Sequence, residues 1–164
     1  MALRRGFKTE ANEYAREYRE ELGLPAHSHL CPWELAELLD IPIISISELD
    51  SEHNNYDLEK HVNYLTNIDY KCFSAVTVFD GYRRIIVHND SHSPKRQSSN
   101  VAHELAHGIL QHPPTVPFSE CGCRNLNKEI EDEANWLGPA LLISEEAALH
   151  TADSAIEYDM IGVK

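Results

Sequence analysis

The chain contains no run of 18 apolar residues, so a membrane-spanning helix is not expected. Positive charge is scarce: 14 Lys and Arg stand against 27 Asp and Glu, for a formal net charge of −13. Neutralisation of phosphates by Lys and Arg supplies most of a protein's general affinity for nucleic acid, so direct DNA or RNA binding is disfavoured. A surface this acidic suits a basic protein partner better. One local basic patch, Pro94-Lys95-Arg96, reads as the solvated start of a helix. Cysteine is also sparse, with only Cys31, Cys72, Cys121 and Cys123 in 164 residues. The stretch from Met1 to Lys8 begins basic but has no apolar segment behind it, so no secretory signal is expected. The thiols then read as reduced groups in a cytoplasmic protein, not as a disulfide framework. Internal repeats, low-complexity tracts and interdomain linkers are missing too. Residues 1–164 therefore read as one domain, with the native protein allowed to extend beyond Lys164.

What is present is alternation of helical and strand-like patterns. Lys8 to Leu22 reads as an amphipathic helix stopped by Gly23 and Pro25. A short helix is expected after Pro32, through Leu39, followed by a strand over Ile41 to Ile46. Ser51 to Asp57 is polar and reads as a surface loop. Phe73–Phe79 and Tyr82–Val87 are strand-like runs around Asp80-Gly81, a hairpin signal. Ser93-Pro94 suits an N-cap with proline in the first turn of a helix reaching Gln111, before Pro113-Pro114. A second helix is expected from Asn127 through Leu142, despite Pro139. Strands between groups of helices give an α+β fold, with a short, mostly antiparallel sheet beside two long helices.

Chemistry concentrates in the first of those helices, at His103-Glu104-Leu105-Ala106-His107. Four residues apart on a helix, His103 and His107 project from one face and can share a Zn²⁺ ion. Glu104 stands beside them as general base. Val101, Leu105 and Ile109 lie on the opposite face and supply a buried anchor. Catalytic zinc usually takes three protein ligands, so a third is needed. His112 does not supply it in the metzincin manner, because Leu110 stands where that pattern requires glycine. A carboxylate of Glu129-Ile-Glu-Asp-Glu133 is the better source. Glu131 shares a face with Ala134, Asn135, Gly138 and Leu142, a surface that can pack closely on the histidine helix. Glu129 and Glu133 share a different face with Trp136 and are expected to meet solvent. The expected ligands are His103, His107 and Glu131, with Glu133 as second choice. Asn135, four residues past Glu131, is expected to hydrogen-bond the free ring nitrogen of a zinc histidine.

His103-Glu-Leu-Ala-His-Gly-Ile-Leu110, then Glu131-Asp-Glu-Ala-Asn135 and Ala140-Leu-Leu142, resembles the ImmA/IrrE family of metallopeptidases. The strand Ile85-Ile-Val-His-Asn89 and the N-terminal helices fit as well, so the resemblance covers roughly Lys8 to Ser144. It implies a small, zincin-like domain and a gluzincin-like zinc peptidase of a bacterium, phage or mobile element. Its ligands would be His103, His107 and the glutamate of Glu131-x-x-x-Asn135. It further implies a protein substrate, characteristically a helix-turn-helix repressor. Cutting that repressor would switch on a stress response, element transfer or anti-phage defence. Two places depart from the family's usual pattern: Ile143-Ser144 replaces Met-Pro, and Trp136-Leu137 replaces Phe-Ala. Neither touches a proposed ligand, but both alter packing next to the site.

Cys121 and Cys123 lie between the two ligand-bearing helices, and a thiolate there could take the metal's fourth position and hold the peptidase latent. The bland reading, two ordinary loop thiols, stands beside it. The CBASS-associated CapP peptidases, which the ImmA/IrrE family includes, resemble the chain in this respect. His27 and His29 read as surface residues, and Trp33 and Trp136 as core. From another class, the chain could be a zinc-containing regulator that binds a transcription factor without cutting it. An intact Glu104 favours the enzyme.

Overall fold

The computed structural model describes residues 3–52, 73–113 and 127–161. Helix α1 (Phe7–Glu21) buries Phe7, Ala11, Ala15 and Arg19, one residue every fourth position along a single stripe. Gly23, with φ of +68°, closes it: the Gly23 amide donates to Glu20 O at 3.0 Å and the Leu24 amide to Arg19 O at 2.7 Å. That is the paired bond pattern of a glycine-ended helix. Helix α2 (Pro32–Leu38) begins with proline in its first turn, as expected, and buries Leu35 and Ala36.

Strand β1 (Ile43–Ser45) is shorter than the expected run because Ser45 starts a helix. The Ser45 hydroxyl accepts from the Glu48 amide at 3.2 Å, and the Glu48 carboxylate accepts from the Ser45 amide at 2.7 Å. This reciprocal capping box nucleates α3 (Ile46–Glu52). Residues 51 and 52 of the expected polar loop are therefore helical, and the rest of that loop lies outside the described residues.

Strands β2 (Ala75–Asp80) and β3 (Arg83–His88) pair antiparallel, Asp80 opposite Arg83. The turn residues are thus Gly81-Tyr82, one place later than Asp80-Gly81. Gly81 has φ of +61° and Tyr82 has no positive φ, the sign pattern of a type II′ hairpin turn. β1 pairs with β3 in parallel, giving the order β1-β3-β2. The sheet is mixed rather than mostly antiparallel, because β1 and β3 run in the same direction.

Helix α4 (Pro94–Ile109) starts at Ser93, whose carbonyl accepts from the Arg96 and Gln97 amides. The Ser93 side chain makes no capping bond. Helix α5 (Lys128–Leu142) starts where Asn127 caps the Glu129 amide at 3.1 Å. Pro139 is tolerated inside it at an exposed position. α4 turns Val101, Ala102, Leu105 and Ala106 inward, and α5 turns Ala134, Leu137, Gly138 and Leu141 toward them. Phe7, Leu30, Leu35 and Ile86 complete the core between helices and sheet.

A buried arginine ties α1 to the end of α5. Arg19 is fully buried, and its guanidinium donates to the carbonyls of Ala15 (2.7 Å), Ser28 (2.9 Å), Leu141 (2.9 Å) and Leu142 (3.3 Å). It satisfies carbonyls that a helix end otherwise leaves orphaned. Buried Ser144 then turns the chain into α6 (Glu145–Ile161), accepting from the Ala147 amide at 3.0 Å and donating to Ala26 O at 2.6 Å. The departure from Met-Pro at 143–144 thus installs a helix cap. No helix among the described residues is long and apolar enough to cross a membrane.

Candidate metal centre

The buried anchor of α4 fixes the rotation of the helix and leaves His103, Glu104 and His107 half-buried along its edge. α5 crosses so closely that a Cβ on Gly138 would lie 3.1 Å from His103 Cα. That contact brings Glu131, two turns earlier on α5, over the histidines.

His103 Nε2 and His107 Nε2 are 3.2 Å apart. One Glu131 oxygen lies 3.4 Å from His103 Nε2, and the other lies 3.6 Å from His107 Nε2. Ligands held about 2.0–2.1 Å from a tetrahedral zinc stand about 3.3–3.4 Å from one another. The three side chains therefore match a metal's donor set in both chemistry and spacing, and among the described residues they are the one cluster of three or more His, Cys, Asp or Glu side chains close enough to share an ion.

Thr77 on β2 donates its hydroxyl to Glu104 Oε2 at 2.6 Å. The strand thereby holds the carboxylate beside the histidines. Burial pushes the Glu104 pKa above the ordinary carboxylate value, and the Thr77 hydrogen bond opposes the shift. Such a group is poised to exchange a proton nearer neutral pH.

Without a metal ion the three candidate ligands share charge unequally. Burial works against a charge on His103, but the Glu131 hydrogen bond and the Glu104 and Glu131 charges outweigh it and raise its pKa. The same His103 hydrogen bond holds Glu131 below the usual carboxylate range, against its burial. Burial, then the His103 charge, pushes His107 down to about 4. That direction disfavours a charged His107 and an ion pair with Glu131.

Two expectations about α5 need correction. Asn135 is exposed, not on the packed face. At about 100° per residue, Asn135 sits roughly 110° from the centre of the arc made by Ala134, Leu137, Gly138 and Leu141. Glu133 borders that arc on the side opposite Glu131, and it does not meet solvent with Glu129. Its carboxylate accepts from Arg4 Nε at 2.8 Å and lies 3.3 Å from His112 Nε2. His112 in turn places Nδ1 2.8 Å from His107 Nδ1. Sequence reasoning did not foresee the contact of His112 with His107 and missed Thr77 altogether, since strand alternation does not reveal what an inward threonine touches.

Trp136 is half-buried and packs against the core, as expected, whereas Trp33 lies at the surface. Trp33 is 36% exposed and meets His88 edge-on, and Trp136 lies under Lys8 Nζ, 4.0 Å from the ring centroid. His27 is exposed, as expected, and stacks on His150. Cys72, Cys121 and Cys123 lie outside the described residues.

The family model of the IrrE N-terminal-like domain, peptidase family M78, matches residues 36–160. The chain belongs to that family. Comparison with curated proteins and with solved structures returns no match. Family membership makes this a metallopeptidase domain, and the histidine–glutamate group is where an M78 chain of this sequence can hold its metal. The match takes in the hairpin and both ligand-bearing helices, while α1 precedes it.

Proposed function

We propose that the protein is a gluzincin-like zinc endopeptidase with His103, His107 and Glu131 as ligands and Glu104 as general base. The carrying observation is the 3.2–3.6 Å spacing of the three side chains, with Glu104 fixed alongside by Thr77. When bound, zinc polarises a scissile carbonyl and acidifies water. Glu104 removes the proton of the attacking water and passes it to the leaving amine nitrogen. Thr77 keeps that carboxylate aimed while its burial raises its proton affinity. β2 is one of the sheet's two edges among the described residues, so an extended peptide added along it would run beside Thr77 and Glu104.

The substrate in this reading is a helix-turn-helix repressor whose cleavage derepresses a stress, mobile-element or anti-phage defence operon in the cytoplasm. The net charge of −13 supports a basic, DNA-binding protein as partner over nucleic acid itself. A thiolate of Cys121 or Cys123 as fourth ligand, in the manner of a CapP-like switch, would keep the enzyme latent. The test is incubation with the helix-turn-helix protein encoded beside it, using wild type and Glu104→Gln, with and without chelator. Zinc-dependent cutting at one site by wild type alone supports the reading. Stable binding without cutting by the zinc-loaded wild type overturns it in favour of a non-proteolytic regulator.

A further inference from the structure

The end of α4 closes around a left-handed residue that is not glycine, as α2 does at Asp40. Its closing bonds run from the Gln111 amide to Gly108 O and from the His112 amide to His107 O, both at 3.0 Å. α1 closes with the same pattern, but there glycine occupies the left-handed position. Here Gln111 does, with φ of +52°. A side chain is disfavoured in that region, because its Cβ crowds the following carbonyl oxygen. The turn folds His112 back over His107, and Arg84 fixes the new direction by donating to His112 O at 2.7 Å. His112 is consequently 7% exposed, and both its ring nitrogens are engaged.

One hydrogen-bond polarity along this path leaves the His107 Nε2 lone pair to a metal. The Glu133 carboxylate only accepts, so His112 Nε2 carries the proton and donates. With that proton on Nε2, His112 Nδ1 is placed to accept from His107 Nδ1–H across 2.8 Å. In that tautomer the His107 lone pair lies on Nε2, the atom facing His103 and Glu131. Arg4 holds the far end, donating from Nε to Glu133 and bonding Glu10 at 2.6 and 2.7 Å.

We propose that Glu133 and His112 are positioning residues for the metal, a carboxylate–imidazole relay that locks His107 in the tautomer whose Nε2 can bind zinc. Metal-bound histidines commonly donate their second nitrogen directly to a carboxylate or carbonyl. Here a second imidazole is interposed, and the carboxylate is two residues from the proposed ligand Glu131 on the same helix. The role expected of Asn135 is filled from the other side. The proposal rests on the reading of His107 as a zinc ligand.

The test compares full-length wild type, His112→Phe, His112→Asn and Glu133→Leu. The histidine tautomer is read by ¹⁵N NMR in the metal-free proteins, and zinc affinity by competition with a chromophoric chelator. Wild type should show His107 protonated at Nδ1. His112→Phe should shift it toward Nε2–H and weaken zinc binding about 10–100-fold, the usual effect of losing a ligand's outer partner. His112→Asn keeps an acceptor facing His107 and should recover most of both. Glu133→Leu should weaken zinc binding without removing either imidazole, which keeps the proposal testable if His112→Phe does not fold. Wild-type tautomer and affinity in both His112→Phe and Glu133→Leu would overturn the relay alone. Failure of wild type to bind zinc would overturn the metal reading itself, and this proposal with it.

Discussion

Gly138 and His103 meet backbone to backbone: a Cβ on the glycine would stand 3.1 Å from His103 Cα and 3.2 Å from its amide nitrogen. Neither atom belongs to a flexible side chain, so a methyl group there must push the helices apart. Gly138→Ala is expected to destabilise the fold by about 1–3 kcal/mol, despite alanine's better helix propensity. It should also loosen zinc binding, because Glu131 rides on the displaced helix. Urea unfolding and chelator competition on the same sample check both. Stability at or above wild type would show that the crossing is not tight.

Glu104→Gln should retain zinc, since Glu104 is not among the converging ligands, and lose cleavage by about 10²–10⁴-fold. Metal content and turnover of a cleaved protein substrate are the two measurements. Loss of zinc together with activity would reassign Glu104 to the ligand set.

Glu131→Gln makes the opposite prediction. Removing one of three ligands should reduce zinc affinity by more than the ~10–100-fold typical of an outer partner, with cleavage falling in step. The comparison with Glu133→Leu ranks the two carboxylates. Equal losses would blur the distinction between ligand and buttress.

Thr77→Val tests how the base is tuned. Glu104 works ionised, so cleavage fails as pH falls through its pKa. Burial already raises that pKa, and the Thr77 hydrogen bond lowers it in part. Valine removes the lowering contribution, so the acid limb of kcat/KM should move to higher pH while the alkaline side stays in place. A limb unmoved, or moved to lower pH, would separate Thr77 from the base.

Arg19→Met keeps the apolar stem but leaves the carbonyls of Leu141 and Leu142 without their buried donor. Each unsatisfied buried group costs about 1–3 kcal/mol, so a loss of roughly 3 kcal/mol in urea unfolding is expected. Arg19→Lys should recover little, since a single ammonium cannot reach carbonyls on several sides.

Much of this was legible in the sequence. The i, i+4 spacing of His103 and His107, the Asn127 cap and the small residues of α5 together led to Glu131, because one helical period governs all of them. The site's supports were less visible. Thr77 reaches Glu104 across a strand–helix packing that no local pattern encodes. Glu133 faces inward because α5 is gripped from both sides, by α4 and by Arg4 ahead of α1, and a helical wheel knows nothing of the second grip. Ser45 and Glu48 did carry a capping signature, but it overlapped a run of isoleucines that reads as strand.

The Arg19 clamp also bears on the order of events during folding. Its bonds to Leu141 and Leu142 span 122 and 123 residues, while those to Ala15 and Ser28 stay within nine. Contacts so distant in sequence bear a loop-closure penalty that local ones escape. As the chain leaves the ribosome, α1 is made before α5 and must wait for the end of α5 before the Arg19 guanidinium finds those partners. The metal site, whose buttress reaches back to Arg4, is completed only when the two ends of the domain have closed on each other.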